Sequence, residues 1–447
     1  MKILSFLPAF SLLINCCTIK SFSQTVKIIK GVTLIDGTGT EPKQNVNIVI
    51  KGDVIDAVLS PGAPLPKGAT VTDYSGKFVM PALINGHCHL GLLKGDNSSP
   101  NNYTRENILR HLEKYEQYGI SNVLSLGTDR EIIFPLRDSS RKGLLPGATI
   151  YTAGYGFTAA GKSPPANLSP DLRMPQTTED AIKVVDELAL LKPDFVKIWV
   201  DDFYGSAAKM KPEIYEAVIK EAHKKGLRAA AHVYYLEDAK RLVDAGIDAL
   251  AHSIRDKDVD DELMSAMKQK GVYYMPTLTL DEYNIIYADD PAWVNDPFFK
   301  ASLEPGVWER LTSEPFRKQL QNDTTFSKKQ AAFETAKRNL KKLTDAGVII
   351  VLGSDSGAQP VRAQGFSEHL ELQLMVEAGL TPMQVIVAAT NNGAKLLRLN
   401  KQSGTLTTNM KADFIVLGGD PLSDIKQTRN IVAVWKNGVQ VGSGIRK

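Results

Sequence analysis

Apolar and polar residues alternate through VKIIKGVTLIDG, QNVNIVIKGDVIDAVL and ATVTDYSGKFV, with glycines at the corners. Residues 24–79 therefore read as short strands joined by turns. The pattern returns near the other end in SGTLTTNMKADFIVLGGDPL and NIVAVWKNGVQV, where Asn437-Gly438 suits the positive φ of a hairpin turn. Strands at 24–79 and 398–447 predict one small β-sandwich domain formed by both chain ends. Between them, over 80–397, buried-type apolar runs at 81–90, 120–127, 148–154, 194–201, 227–234, 248–254, 271–280 and 347–356 alternate with amphipathic stretches such as TEDAIKVVDELALL and PEIYEAVIKEAHKKG. That alternation predicts an α/β fold, a (β/α)8 TIM barrel. Segment 281–325 breaks the rhythm with Asp, Pro and the aromatics Trp293, Phe298, Phe299 and Trp308. An insertion after a barrel strand falls on the active-site face, so a lid-like role is expected.

Composition narrows the class. A chain of 447 residues, 43% hydrophobic and 23% charged, excludes collagen, mucin and bulk disorder. The formal charge is +3, and no basic stripe stands out, so neither nucleic acid nor a membrane surface is an expected partner. A small-molecule substrate is expected, with homo-oligomerisation left open.

The first residues predict export. Lys2, an apolar run at 3–14 too short to span a bilayer, and Ser21-Phe22-Ser23 before Gln24 make residues 1–23 a signal peptide. The mature protein is expected to be periplasmic or secreted, with no membrane attachment after cleavage. Lipidation at Cys16 or Cys17 ranks lower, because Asn15 is a poor residue before a lipidated cysteine. Removing 1–23 leaves Cys88 alone, so no internal disulfide can form.

Candidate chemistry gathers at the ends of the barrel strands, where such folds build their sites. His87 and His89 end the first, at a spacing that puts both imidazoles on one face. His232 ends the fifth, His252 the sixth and Asp355 the eighth. Four imidazoles and a carboxylate suit zinc, with manganese, iron or cobalt as alternatives. Lys197 sits among apolar neighbours in the fourth strand. Burial would lower its pKa, leaving a neutral amine able to take up carbon dioxide. The resulting carbamate, N6-carboxylysine, could bridge two metals. A lysine there could instead pair with Asp201 or Asp202. His111 and His223 read as helix-face residues, His369 as either near the mouth or at a helix start, and Cys88 as a packed small side chain.

The entry VMPALINGHCHL, the exit GVIIVLGSDSGA, and the closing runs LELQLMVEAGLTPMQVIVAATNNGAKLLRL and GTLTTNMKADFIVLGGDPL resemble the amidohydrolase superfamily. Within it, the imidazolonepropionase-like and prolidase-like branch is the closest in pattern. The resemblance implies two divalent ions: His87, His89 and Asp355 on one, His232 and His252 on the other, and carboxylated Lys197 between them. It also matches Tyr234 to a tyrosine that helps polarise the substrate carbonyl. The chain departs from the family at Met80-Pro81-Ala82, at Leu124-Ser125, and at Asn85, where an aspartate is usual.

The chemistry expected is hydrolysis of an amide bond, in a dipeptide or N-acyl amino acid, by a metal-bridging hydroxide. Asp355 would act as general base and then acid. A lactonase, an ochratoxinase-like amidase or a deaminase could use the same site. A non-catalytic binding protein would be expected to lose ligands, and all six positions are filled.

Overall fold

The computed structural model describes residues 25–161 and 168–444, so the signal-peptide expectation for 1–23 lies outside the described residues. Strands β1 (Val26–Leu34), β2 (Lys43–Lys51), β3 (Val54–Leu59), β4 (Thr70–Asp73) and β5 (Phe78–Pro81) belong to one eight-stranded sheet. Three strands from the other end of the chain complete it: Phe414–Leu417, Ile431–Lys436 and Val439–Ser443. The junction is β5, paired in parallel with β1 and antiparallel with Phe414–Leu417. This sheet has its own core, in which Phe414 stacks on Trp435 among Ile29, Ile48, Ile50 and Val79.

The middle of the chain forms two parallel sheets. One contains β6 (Leu83–Cys88), β7 (Ile120–Ser125) and β8 (Thr149–Thr152). The other contains β9 (Phe195–Val200), β10 (Arg228–Val233), β11 (Ala249–Ala251), β12 (Tyr273–Met275) and β13 (Ile349–Ile350), in that order. Backbone hydrogen bonds cross both seams. Gly86 N–H donates to Leu352 O and Asp355 N–H to His87 O on one side. Asp194 N–H donates to Thr152 O, and Phe157 N–H to Lys197 O, on the other. β7 and β9 are buried at every residue, as strands sandwiched between a packed interior and covering helices must be.

The α-helices of the described residues are α1 (Arg105–Gln117), α2 (Ile133–Arg141), α3 (Thr178–Leu190), α4 (Pro212–Lys224), α5 (Leu236–Asp244), α6 (Asp261–Lys270), α7 (Leu278–Glu282), α8 (Pro297–Ser302), α9 (Val307–Leu311), α10 (Glu314–Gln321), α11 (Phe326–Ala346), α12 (Phe366–Glu377), α13 (Pro382–Val387) and α14 (Gly393–Leu396). Their ends follow local chemistry. Thr177 and Asp180 form a capping box that starts α3, and Gly271, at φ 67°, closes α6.

One predicted strand is corrected. The run 271–280 is strand only over β12, and Leu278–Glu282 is α7. Pro276 offers no amide to a ladder, Thr277 turns the chain at φ 46°, and the Glu371 carboxylate accepts the amides of Leu278 and Thr279. The 281–325 segment is mostly short helices. Its aromatics Trp293, Phe298 and Phe299 pack on Phe366 of α12, and its Glu304 pairs with Arg110 and Lys114 of α1. Asp281, at its start, is buried and pairs with Arg255.

Candidate metal centre

His87 lies in β6 and His89 directly after it, and both imidazoles reach Asp355. The Nε2 atoms of His87 and His89 lie 3.2 and 2.9 Å from Asp355 Oδ1. Ligand atoms of these three buried residues all lie within 4.8 Å of one another. His232 and His252 join them by ring packing. The centroids of His87 and His252 are 4.7 Å apart, and those of His252 and His232 are 4.2 Å apart. The outer two are oriented by neighbours: His252 Nδ1 meets Thr277 Oγ1 at 2.8 Å, and His232 Nε2 meets Asp201 Oδ2 at 2.8 Å. His89 Nδ1 is held by Thr128 Oγ1 at 2.7 Å.

Three strained backbone positions lie here. His252, Thr277 and Asp355 adopt left-handed φ values of 73°, 46° and 54°. Each costs on the order of 1–3 kcal/mol and persists only where its surroundings enforce it. Gly357, at φ 88°, has no such option: a Cβ there would sit 2.1 Å from His89 O.

Electrostatics favour the neutral, ligand form of His87, His232 and His252. Burial depresses the pKa of His87, and Lys197 and the neighbouring histidines add to it. Burial likewise pushes down His252 and His232, the latter against the pull of Asp201. For Asp355, burial raises the carboxyl, but Arg362 and the His89 hydrogen bond outweigh it and hold it well below the usual range.

Lys197 is fully buried, and its Nζ has no hydrogen-bond partner. Asp201 is committed to His232, and Asp202 accepts from Tyr235, so neither carboxylate pairs with this amine. Burial lowers its pKa to about 7, against a small opposing pull from Asp355. Gly127 lies against the stem, where a Cβ would approach Lys197 Cγ to 2.6 Å.

Tyr234 is buried, its ring 5.4 Å from Tyr204 and capped by Arg255 at 4.6 Å. Arg255 in turn lies 3.0 Å from Asp281, whose other oxygen is buried and unpartnered. Arg255, Asp281 and Arg362, which the sequence pattern did not single out, add charge near the cluster: Arg255 acts on His232 and His252, and Arg362 pairs with Asp355. Of the remaining histidines, His111 bonds the backbone at Gly91 and Leu93, His223 pairs with Asp248, and His369 bonds Tyr118 O and Thr428. None contacts the cluster. Cys88 packs in the main core, and burial raises its thiol pKa.

A divalent ion fits this donor set. Imidazole nitrogens and a carboxylate oxygen converge, and the buried, unpartnered His87 Nδ1 and Lys197 Nζ would otherwise each cost about 1–3 kcal/mol.

The chain is similar to several known proteins. Uncharacterized proteins of Mycobacterium tuberculosis and Mycobacterium bovis are 23% identical over 222 residues, 48% of this chain and 54% of theirs, so the chain spans about half the length of these curated relatives. Imidazolonepropionase of Brevibacillus brevis is 24% identical over 361 residues, covering 78% of this chain and 76% of its own. A crystal structure of a Xaa-Pro dipeptidase with bound methionine in the active site matches with a TM-score of 0.73 at 24% identity, over 94% of this chain and 100% of that one. At that identity the structural likeness speaks for the fold alone. The model of the amidohydrolase family matches residues 78–441, a span that takes in every residue of the cluster, and the chain belongs to that family.

Proposed function

We propose that the protein is a metal-dependent hydrolase of amide bonds, acting on a dipeptide or an N-acyl amino acid. The observation that carries this reading is Lys197, a buried amine with no hydrogen-bond partner whose charge is felt by His87, His232 and His252 and which is itself drawn on by Asp355. His87, His89 and Asp355 would hold one divalent ion, His232 and His252 a second, and carboxylated Lys197 would lie between them. Zinc suits these donors. Bound there, the ions would polarise a carbonyl and make water acidic enough to attack at neutral pH.

The chain's own residues do the rest. With its pKa lowered to about 7, the Lys197 amine has a large neutral fraction near neutral pH, and this form adds to carbon dioxide and releases one proton, giving the carbamate. Asp355 takes the proton of the attacking water and delivers it to the leaving nitrogen. The Tyr234 O–H donates a hydrogen bond to the carbonyl oxygen as charge develops. Arg255, Asp281 and Arg362 would place fixed charge near a bound substrate, suited to a polar or zwitterionic molecule.

The same reading takes the eight parallel strands as a closed (β/α)8 barrel, supported by the hydrogen bonds across both seams. It takes the composite sheet, with its separate core, as a β-sandwich. Export and cleavage before Gln24 belong to this proposal too. Its test is hydrolysis of a panel of N-acyl amino acids, Xaa-Pro dipeptides and lactones by the zinc-loaded protein. Turnover of lactones without amides would favour the lactonase alternative, and turnover of none would refute the hydrolase reading.

A further inference from the structure

Asn85 stands two residues before His87, where a carboxylate was expected, and the structure places a carboxylate one step further away. Asn85 Oδ1 accepts the His87 amide at 2.9 Å, and its Nδ2 donates to Glu368 Oε1 at 2.6 Å and to Ser354 Oγ at 3.0 Å. Glu368, on α12, is fully buried. Its Oε1 also accepts from Ser354 Oγ at 2.6 Å and Ser356 Oγ at 2.7 Å, and its Oε2 accepts the Gly365 amide at 2.7 Å. Ser354 and Ser356 flank Asp355, and the Ser356 carbonyl accepts the His89 amide at 2.8 Å. One side chain thus fixes the backbone of all three clustered ligands.

All four partners of Glu368 donate, and none is a cation. A buried carboxylate without a counter-charge is costly in the metal-free protein. The positive charge that would balance it is missing from its own shell and would be supplied next door. We propose that Glu368 is the positioning residue of the metal centre: through Asn85, Ser354 and Ser356 it holds His87, His89 and Asp355 in register and balances the charge of a divalent ion bound there. This rests on the metal-centre reading above.

The test compares wild type, Glu368→Gln, Asn85→Asp and the double variant, with zinc alone as probe. Zinc affinity is read by chelator competition, and thermal midpoints are taken with and without zinc. Glu368→Gln should weaken zinc binding about 10–100-fold, the usual effect of losing such a partner. It should lower the metal-free midpoint too, because the new amide NH2 faces a donor in either state, but less than the zinc-loaded one. Asn85→Asp should also weaken binding, by setting two carboxylates against each other. The double variant, with amide and carboxylate exchanged, should recover most of the affinity. A Glu368→Gln protein that fails to fold, or loses as much stability without zinc as with it, would show a merely structural role. Unchanged zinc affinity would overturn the proposal outright. A wild-type protein that binds no zinc would instead refute the metal-centre reading itself.

Discussion

The imidazoles of His87 and His252 pack 4.7 Å apart, although His87 belongs to the three-stranded sheet and His252 follows a strand of the five-stranded one. The contact lies across the seam where the Asp355 amide donates to His87 O. Through it, the His87–His89–Asp355 cluster and the His252–His232 pair become one site. The chemistry proposed therefore depends on a junction between sheets as much as on any single loop.

Asp355→Asn separates ligation from proton transfer. The amide is nearly isosteric and the histidines remain, so much of the metal should be retained. The rate should nevertheless fall by roughly 10²–10⁴, the usual contribution of a positioned acid–base group. The loss should be larger for amides than for activated esters, whose leaving groups need no proton. Equal losses on both, in a fully metallated variant, would argue against Asp355 as the leaving-group acid.

Glu371 links stability to pH. Burial raises its carboxyl from 4.5 to about 8, against hydrogen bonds from Thr279 and Leu278. Between those values the folded chain binds more protons than the unfolded one, so this group's contribution is full below 4.5 and is lost as pH rises through about 8. Glu371→Gln should remove that dependence. The midpoint of the variant relative to wild type should climb across this window. Parallel midpoint–pH curves would contradict the assignment.

Much of the site was legible because its residues carry a local signature. A strand followed by His-x-His, single histidines ending two later strands, and an aspartate after the last one need only the alternation of strands and helices to be brought together. Lys197 stood out because an apolar strand has no cheap use for an amine. Other parts had no such signal. Asp281 was hidden because 271–280 reads as a continuous strand, and what ends that strand is Glu371, distant in sequence. Arg255, Arg362 and Glu368 are ordinary surface-type residues in a one-dimensional pattern, and only tertiary contact makes them part of the site. Asn85 was the one sequence clue to Glu368: an amide where a carboxylate was expected implies that its partner supplies the charge. Of the aromatics of 281–325, expected to cover the substrate, Trp293, Phe298 and Phe299 pack on Phe366 of α12.

Export is tested on the native protein. Mass spectrometry of the mature chain should place its N-terminus at or near Gln24. Intact Met1 on the soluble protein would contradict cleavage of the segment 1–23.

The most direct measurement is the number of divalent ions per chain, taken on wild type and Lys197→Ala together with the covalent state of Lys197. Two ions and a carbamate on the lysine are expected in wild type. Lys197→Ala should lose metal and rate together, and short-chain carboxylic acids should restore part of the rate by standing in for the carbamate. A single ion per chain with Lys197 unmodified would contradict the two-metal centre.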